Sequence, residues 1–228
     1  MNGKAIIKFL VVIAAIIGLF AYFIQPLAGS LKQGLDLQGG THIVLEAEDS
    51  ATGTADNDAV ERAKQILERR INEMGLSEPL VQREGARRII IELPGVKDPD
   101  EAIKRIGKTA VLEFKNDQGQ TVMTGDDLKD AKEELGQNKQ PLVAIELSDE
   151  GAKKFADLTS KNIGRRIAIT LDGKELTNPV VQQAITGGKA TISGSQSLEE
   201  AKDLAILLRS GALPVKINVL EVRTVGPS

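Results

Sequence analysis

Apolar and polar positions follow three different periods along this chain, and each period predicts a different kind of element. From Phe9 to Ile24 run sixteen residues without a charge or a strongly polar side chain. With Ile6, Ile7 and a snorkelling Lys8 the run reaches about 19 residues, enough for a helix across a bilayer core of roughly 30 Å. Pro26 and Gly29 then break it. Thr41 to Glu48 (THIVLEAE) reads as a strand, and Ala59 to Met74 as a helix. Val60, Ala63, Leu67, Ile71 and Met74 recur there at helical spacing, Arg62, Lys64, Glu68 and Arg69 fall on other faces, and Gly75 stops the pattern. Leu80 to Gln82 and Arg88 to Leu93 read as strands around a Glu84-Gly85 turn. Asp98-Pro99-Asp100-Glu101 predicts a helix start, with a capping Asp98, proline at the first helical position and an acid three residues on. That helix ends near Gly107, and Ala110 to Phe114 returns as a strand. The resulting order is β-α-β-β-α-β, a ferredoxin-like unit with right-handed crossovers.

A second unit follows a turn at Asn116 to Gly119. The polar stretch 125–141 predicts a short helix at Asp126 to Leu135. Then come a strand at Leu142 to Leu147, a helix from a Ser148 cap through about Asn162, and a strand at Arg166 to Leu171. Asp172-Gly173 forms a hairpin turn into Lys174 to Val181. Ala190 to Ser193 is a strand, Ser197 to Glu200 opens a helix as a capping box, and a last strand runs from Val215 to Val222. The two units echo each other faintly, ARRIIIELPG against GRRIAITLDG. The fold class is α+β: one N-terminal transmembrane helix and two ferredoxin-like (βαββαβ) subdomains.

Charge sets the topology. Lys4 and Lys8 flank the apolar run on one side and Gln25 to Ser30 carry no charge on the other, so the N-terminus faces the cytoplasm and the body lies outside. A cleaved signal peptide, with Ala28-Gly29-Ser30 as its cleavage site, is the alternative to an anchor, and it exports the body equally. Of the 29 basic residues, 27 lie beyond residue 30 against 32 acidic ones, so the body carries −5 and offers no basic footprint for nucleic acid. Aromatics are 3% of the chain, which leaves an aliphatic core and no stacking platform for bases.

The residues argue against an enzyme. There is no cysteine, and His42 is the only histidine, which removes thiol chemistry and histidine-pair metal sites. His42 and Glu46 share a strand face but read as sheet packing. No serine stands in a strained-turn context, and neither Gly164-Arg165-Arg166 nor Gly187-Gly188-Lys189 fits a phosphate-binding loop. Acid pairs such as Asp126-Asp127 and Glu199-Glu200 fall at helix starts or on polar faces, where solvation and the helix dipole account for them. No cofactor and no metal are expected.

The heptapeptide Gly34-Leu35-Asp36-Leu37-Gln38-Gly39-Gly40, after one membrane helix and before THIVLEAE, resembles the signature of the SecD family of protein-export subunits. The likeness continues through Ala59 to Phe114, at LTNPVVQQAITGGKATISG (Leu176 to Gly194) and at LAILLRSGALPVKINVLEVRTVGPS (Leu204 to Ser228), and so covers nearly the whole chain. It implies a cytoplasmic N-terminus at 1–8, a transmembrane helix at 9–26, a base subdomain at 31–114 and 214–228, and an inserted head at 115–213 that swings relative to it. Lys115, Asn116 and Gly119 on one crossing, with Leu213 and Pro214 on the other, are then the hinge candidates.

The resemblance further implies an accessory subunit of the Sec export machinery, related to RND transporters and located in the bacterial inner membrane. Its outer part would bind emerging preprotein and prevent backsliding in proton-gradient-assisted export. An apolar head surface is the natural contact, with no residue of it singled out. Implied partners are SecF, the SecYEG channel, unfolded preprotein and the lipid bilayer, with YidC and YajC as further candidates. In that family the chain continues into more membrane helices that carry the proton-coupling residues, so Ser228 reads as a truncation. Two other readings compete: a signal-anchored extracytoplasmic ligand-binding domain, and a fragment of another RND-type exporter, against which the heptapeptide speaks.

Overall fold

The computed structural model describes residues 11–13, 16, 18, 20, 39–49, 53–76, 79–96 and 98–226. Most of the expected membrane helix, the alternative cleavage site and Gly34 to Gln38 lie outside the described residues. Residues 11–13, 16, 18 and 20 are helical and exposed. Among the described residues, no helix is long and apolar enough to cross a membrane.

The body is a mixed α and β structure built on two hydrophobic cores. The first contains β1 (Gly40–Glu48), α1 (Asn57–Glu73), β2 (Leu80–Glu84), β3 (Arg88–Pro94) and α2 (Pro99–Ile106), closed by β11 (Lys216–Val225) from the far end of the chain. The strands form one antiparallel sheet in the order β11-β1-β3-β2. Period-two alternation turns Ile43, Leu45 and Ala47 of β1 and Ile89, Ile91 and Leu93 of β3 toward one face. There they meet the Val60, Ala63, Leu67, Ile71 stripe of α1. Asp56 caps α1 by accepting from the Ala59 amide at 2.8 Å, and Asp98 caps α2 by accepting from the Glu101 amide at 3.1 Å.

The second core holds β4 (Leu112–Lys115), β5 (Thr121–Thr124), a 3-10 turn (Gly125–Asp127), β6 (Leu128–Leu135), β7 (Pro141–Leu147), α3 (Asp149–Lys161), β8 (Ala168–Leu171), β9 (Lys174–Thr177), β10 (Lys189–Ser193) and α4 (Leu198–Ser210). Its strands divide between two sheets, β10-β7-β6 and β5-β4-β8-β9, instead of forming one sheet of the expected second βαββαβ unit. Ser148 and Ser197 cap α3 and α4 where the sequence places them.

Two expectations fail locally. Ala110 to Phe114 does not close the first sheet: β4 pairs with β5 and β8, and β11 takes the place beside β1. The reason is ladder length, since β11 matches β1 from Gly40 to Glu48 whereas β4 is four residues long. Asp126 to Leu135 is not a helix beyond the short 3-10 turn. Ala131 and Glu133 pair with Ile145 and Val143 of β7, and Lys129 reaches Glu146 across the strands at 2.6 Å. Sheet pairing and the burial of Ala131 outweigh the helix propensity of a lysine- and glutamate-rich stretch.

Gly151, in the first turn of α3, lies against the 3-10 turn. A Cβ there would overlap the Asp127 carbonyl oxygen and stand 3.0 Å from the Asp127 Cβ. The obstacle is backbone, and the Asp127 carbonyl also accepts from the Ser148 amide at 2.9 Å, so it cannot yield cheaply. Gly151→Ala is expected to destabilise the protein by about 1–3 kcal/mol through overpacking. Because the overlap is with backbone, the cost lies toward the upper end of that range, above the gain of about 1 kcal/mol from helix propensity. Urea unfolding measures it, and an unchanged or higher midpoint would contradict the tight approach.

A groove in the second core and the junction beneath it

Where the two sheets of the second core part, they leave a groove of about 760 Å³. Its floor is apolar: Ile145 from β7, Phe155 from α3, Ile167 and Ile169 from the β8 region, and Val181. β6 supplies one wall through Asp130, Ala131 and Lys132, and edge strand β10 runs along it through Lys189, Ala190 and Thr191. The opposite rim is the segment 179–185, where Val180 is 46% exposed. That segment is irregular but held. The Val181 carbonyl accepts from Gly164 at 2.8 Å, the Val181 amide donates to Arg165 at 2.9 Å, and the Ile167 amide donates to Pro179 at 3.1 Å. The buried Thr159 hydroxyl donates to the Phe155 carbonyl at 2.7 Å and accepts from the Ile185 amide at 3.0 Å, fixing the rim to α3.

The chain passes between the two cores twice, at 107–111 and 211–215. Arg70 of α1, 0% exposed, reaches both passages. Its Nη1 donates to the Ile106 carbonyl at 2.7 Å and to the Lys108 carbonyl, its Nη2 to the Gly211 carbonyl at 2.8 Å, and its Nε to Ser210 Oγ at 3.1 Å. Burial pushes the guanidinium pKa down to about 10, partly offset by Asp172, so it stays charged at neutral pH. From the second core, the Asp172 carboxylate accepts from the amides of Ala110 (3.1 Å) and Val111 (2.9 Å). The Leu213 amide donates to the Thr109 carbonyl at 2.8 Å and ties the passages to each other.

Ion pairs flank this neck. Arg105 of α2 meets Asp203 and Glu199 of α4, and Arg209 of α4 meets Glu73 of α1 at 2.9 Å. The hydrogen bond to Glu73 raises the Arg209 pKa above its ordinary value.

The expected crossing at Lys115, Asn116 and Gly119 is corrected by this geometry. Lys115 pairs with Ala168 and Thr121 inside one sheet, and Asn116 and Gly119 close the β4–β5 hairpin. Asn116 Oδ1 accepts there from the amides of Gln118 (3.0 Å) and Gln120 (2.9 Å), and the Gly119 amide donates to the Asn116 carbonyl at 3.0 Å. Leu213 and Pro214 do lie on a passage, with Leu213 packed in the first core. Of the signature heptapeptide, Gly39 and Gly40 are described. Gly39 has φ 66° and its carbonyl accepts from the Gly95 amide at 3.0 Å; Gly40, φ 147°, sits between Pro94 of β3 and Val225 of β11. Both backbone conformations favour glycine where the chain enters β1.

Arg70 is absent from the sequence-predicted residues, although it leaves a signal in the sequence. Position 70 continues the stripe of Ala63 and Leu67, so a basic residue stands on the apolar face of α1. Replacing it tests the junction. Arg70→Met strands three carbonyls in a buried neck and is expected to cost about 3 kcal/mol or more, since each unsatisfied buried group costs about 1–3 kcal/mol. Arg70→Lys recovers only part, because one ammonium cannot reproduce a planar fork. A loss below about 1 kcal/mol for Arg70→Met in urea unfolding would show that the neck does not depend on it.

Comparison with known proteins covers both cores. Residues 103–215 match the family model for the SecDF P1 head subdomain, residues 60–119 that for the N-terminal P1 domain of protein translocase subunit SecDF, and residues 31–51 that for the SecD/SecF GG motif. The protein translocase subunit SecD of Acidaminococcus fermentans is 57% identical over 100% of this chain and 55% of its own length. A crystal structure of SecDF in a super-membrane-facing form superposes with TM-score 0.76 at 42% identity, covering 86% of this chain and 32% of that one. A structure described as a membrane component SecDF that enhances protein export superposes with TM-score 0.72 at 40% identity, covering 80% of this chain and 99% of that one. The chain spans about half the length of the curated relatives it matches. With both cores, the glycine pair and the sequence agreeing along its length, the chain belongs to the SecD/SecDF family of protein translocase subunits.

Proposed function

We propose that this chain is the extracytoplasmic binding part of an accessory subunit of the Sec export machinery. Its second core, the head, holds an emerging preprotein segment in the groove and keeps it from sliding back. The first core is the base in this reading, and the strand order β11-β1-β3-β2 with two helices packed against the sheet supports a ferredoxin-like unit. The work is binding, not bond-making. Its partners in this reading are SecF, the SecYEG channel and the preprotein, in proton-gradient-assisted export at the inner membrane.

The observation that carries the reading is an apolar groove with an edge strand along it. An unfolded chain exposes backbone donors and acceptors and scattered apolar side chains. Pairing with an edge strand such as β10 serves the backbone whatever the sequence, and the aliphatic floor serves alternate side chains. The rim carries both signs, Lys132 and Lys189 beside Glu134 and Glu146, and so does not select clients by charge. Each buried Val or Leu contributes about 1.5–3 kcal/mol. Two or three of them support a hold in roughly the millimolar to micromolar range, weak enough for a chain that has to move on.

Photo-reactive residues at Val180, Gln183 and Lys189, in a membrane-embedded full-length subunit engaged with a translocation-arrested preprotein, test this. Adducts are expected at these rim positions and are expected to vanish when export completes. A silent groove, with base positions crosslinking to channel subunits instead, would make the segment a docking scaffold and end the capture reading.

A further inference from the structure

One side chain of α4 bonds both to a wall of the groove and to the base. Glu73 is the last residue of α1, in the base. Its Oε2 accepts from Arg209 Nη2 (2.9 Å) and Nε (3.2 Å), and the third arm of the same guanidinium, Nη1, donates to the Ala131 carbonyl at 2.8 Å. Ala131 lies in β6, an edge strand that walls the groove, and the neighbouring Asp130 carboxylate stands 4.0 Å from Nη1. One planar fork therefore spans the end of the base helix and the groove wall, a bridge only arginine geometry allows.

We infer that the Glu73–Arg209 pair positions β6, so that docking of α4 against the base regulates how tightly the groove holds an extended chain. This rests on the binding reading above. Without Glu73, the guanidinium is drawn toward Asp130 and Glu133, whose charges already act on it. The Ala131 carbonyl then loses its donor, the edge strand loses its tether, and a less preorganised wall binds more weakly. Arg209 is a positioning residue in this scheme and need not touch the bound chain.

The fold contains its own control. Arg105 of α2 and Asp203 of α4 also join base to α4 through an ion pair, and neither residue lines the groove. A general loosening of α4 would follow from breaking either pair, but a relay to the groove only from breaking the first.

Because the chain has no cysteine, a single Gln183→Cys on the rim carries an environment-sensitive fluorophore cleanly. The full chain, reconstituted in lipid nanodiscs, is titrated with a synthetic 15-residue peptide of alternating valine and threonine. Glu73→Gln and Arg209→Lys are each expected to weaken binding about fivefold or more, within the usual range of coupling between sites. Asp203→Asn is expected to leave affinity within about twofold, below that coupling range. Hydrogen exchange without peptide should accelerate at β6 amides in the first two variants and not in the third. Equal loss from Asp203→Asn would overturn the relay in favour of general docking, and unchanged affinity in Glu73→Gln would overturn it outright. If the unsubstituted chain binds no peptide, the capture reading fails on its own. The β6 exchange rates then still decide the relay, with unchanged rates in Glu73→Gln overturning it.

Discussion

The architecture depends on one buried cation. Two cores share a chain that passes between them twice, and a narrow neck of this kind has no sheet ladder to satisfy its backbone. Burying a guanidinium is costly, and it persists only where nearly all its donors are used. Arg70 meets that condition, spreading its donors over Ile106, Lys108, Ser210 and Gly211. Asp172 holds the other side of the first passage by its amides. Thr109 falls between cation and anion and is bonded to Leu213 on the second passage. Pulling the neck apart would leave several polar groups stranded, which makes it a costly place to separate the cores.

The contacts around the neck differ in kind. Arg105–Asp203 and Arg209–Glu73 are partly exposed, and pairs of that sort contribute on the order of 1 kcal/mol or less. They can open and close at little cost, whereas the Arg70 network cannot. Both involve α4, whose Ala201, Ala205 and Leu208 are buried in the second core while its charged edge meets α1 and α2. α4 thus belongs to the second core by packing and meets the first by charge.

How much of this the sequence showed depended on the range of the interactions concerned. Caps at Asp98, Ser148 and Ser197, the α1 stripe and the Asp172-Gly173 hairpin rest on residues within a few positions of one another, and the structure has them where the pattern predicts. The misplaced elements depend on distant partners. β4 went to the wrong sheet because its competitor for β1 lies about a hundred residues downstream. The stretch 126–135 turned from helix to strand because of its pairing with β7. The groove, a gap between two sheets, has no signature in either sheet's own sequence. Arg70 is the intermediate case: its position on an apolar stripe was readable, its partners were not.

The chemistry of the groove follows from what the body lacks. Phe114 and Phe155 are the body's only aromatic side chains, and they pack edge to face with centroids 6.0 Å apart, so most of that surface serves the core. Tight and selective interfaces concentrate their energy in aromatic and arginine anchors seated in pockets. A floor of Ile145, Ile167, Ile169 and Val181 with one phenylalanine offers apolar area without such anchors. The same aliphatic composition that fills two small cores therefore leaves a groove that discriminates little among apolar sequences. In the proposed capture role, weak and unselective contact would suit a surface that releases each segment in turn, and control would then fall to the position of the wall, which Arg209 of α4 bonds.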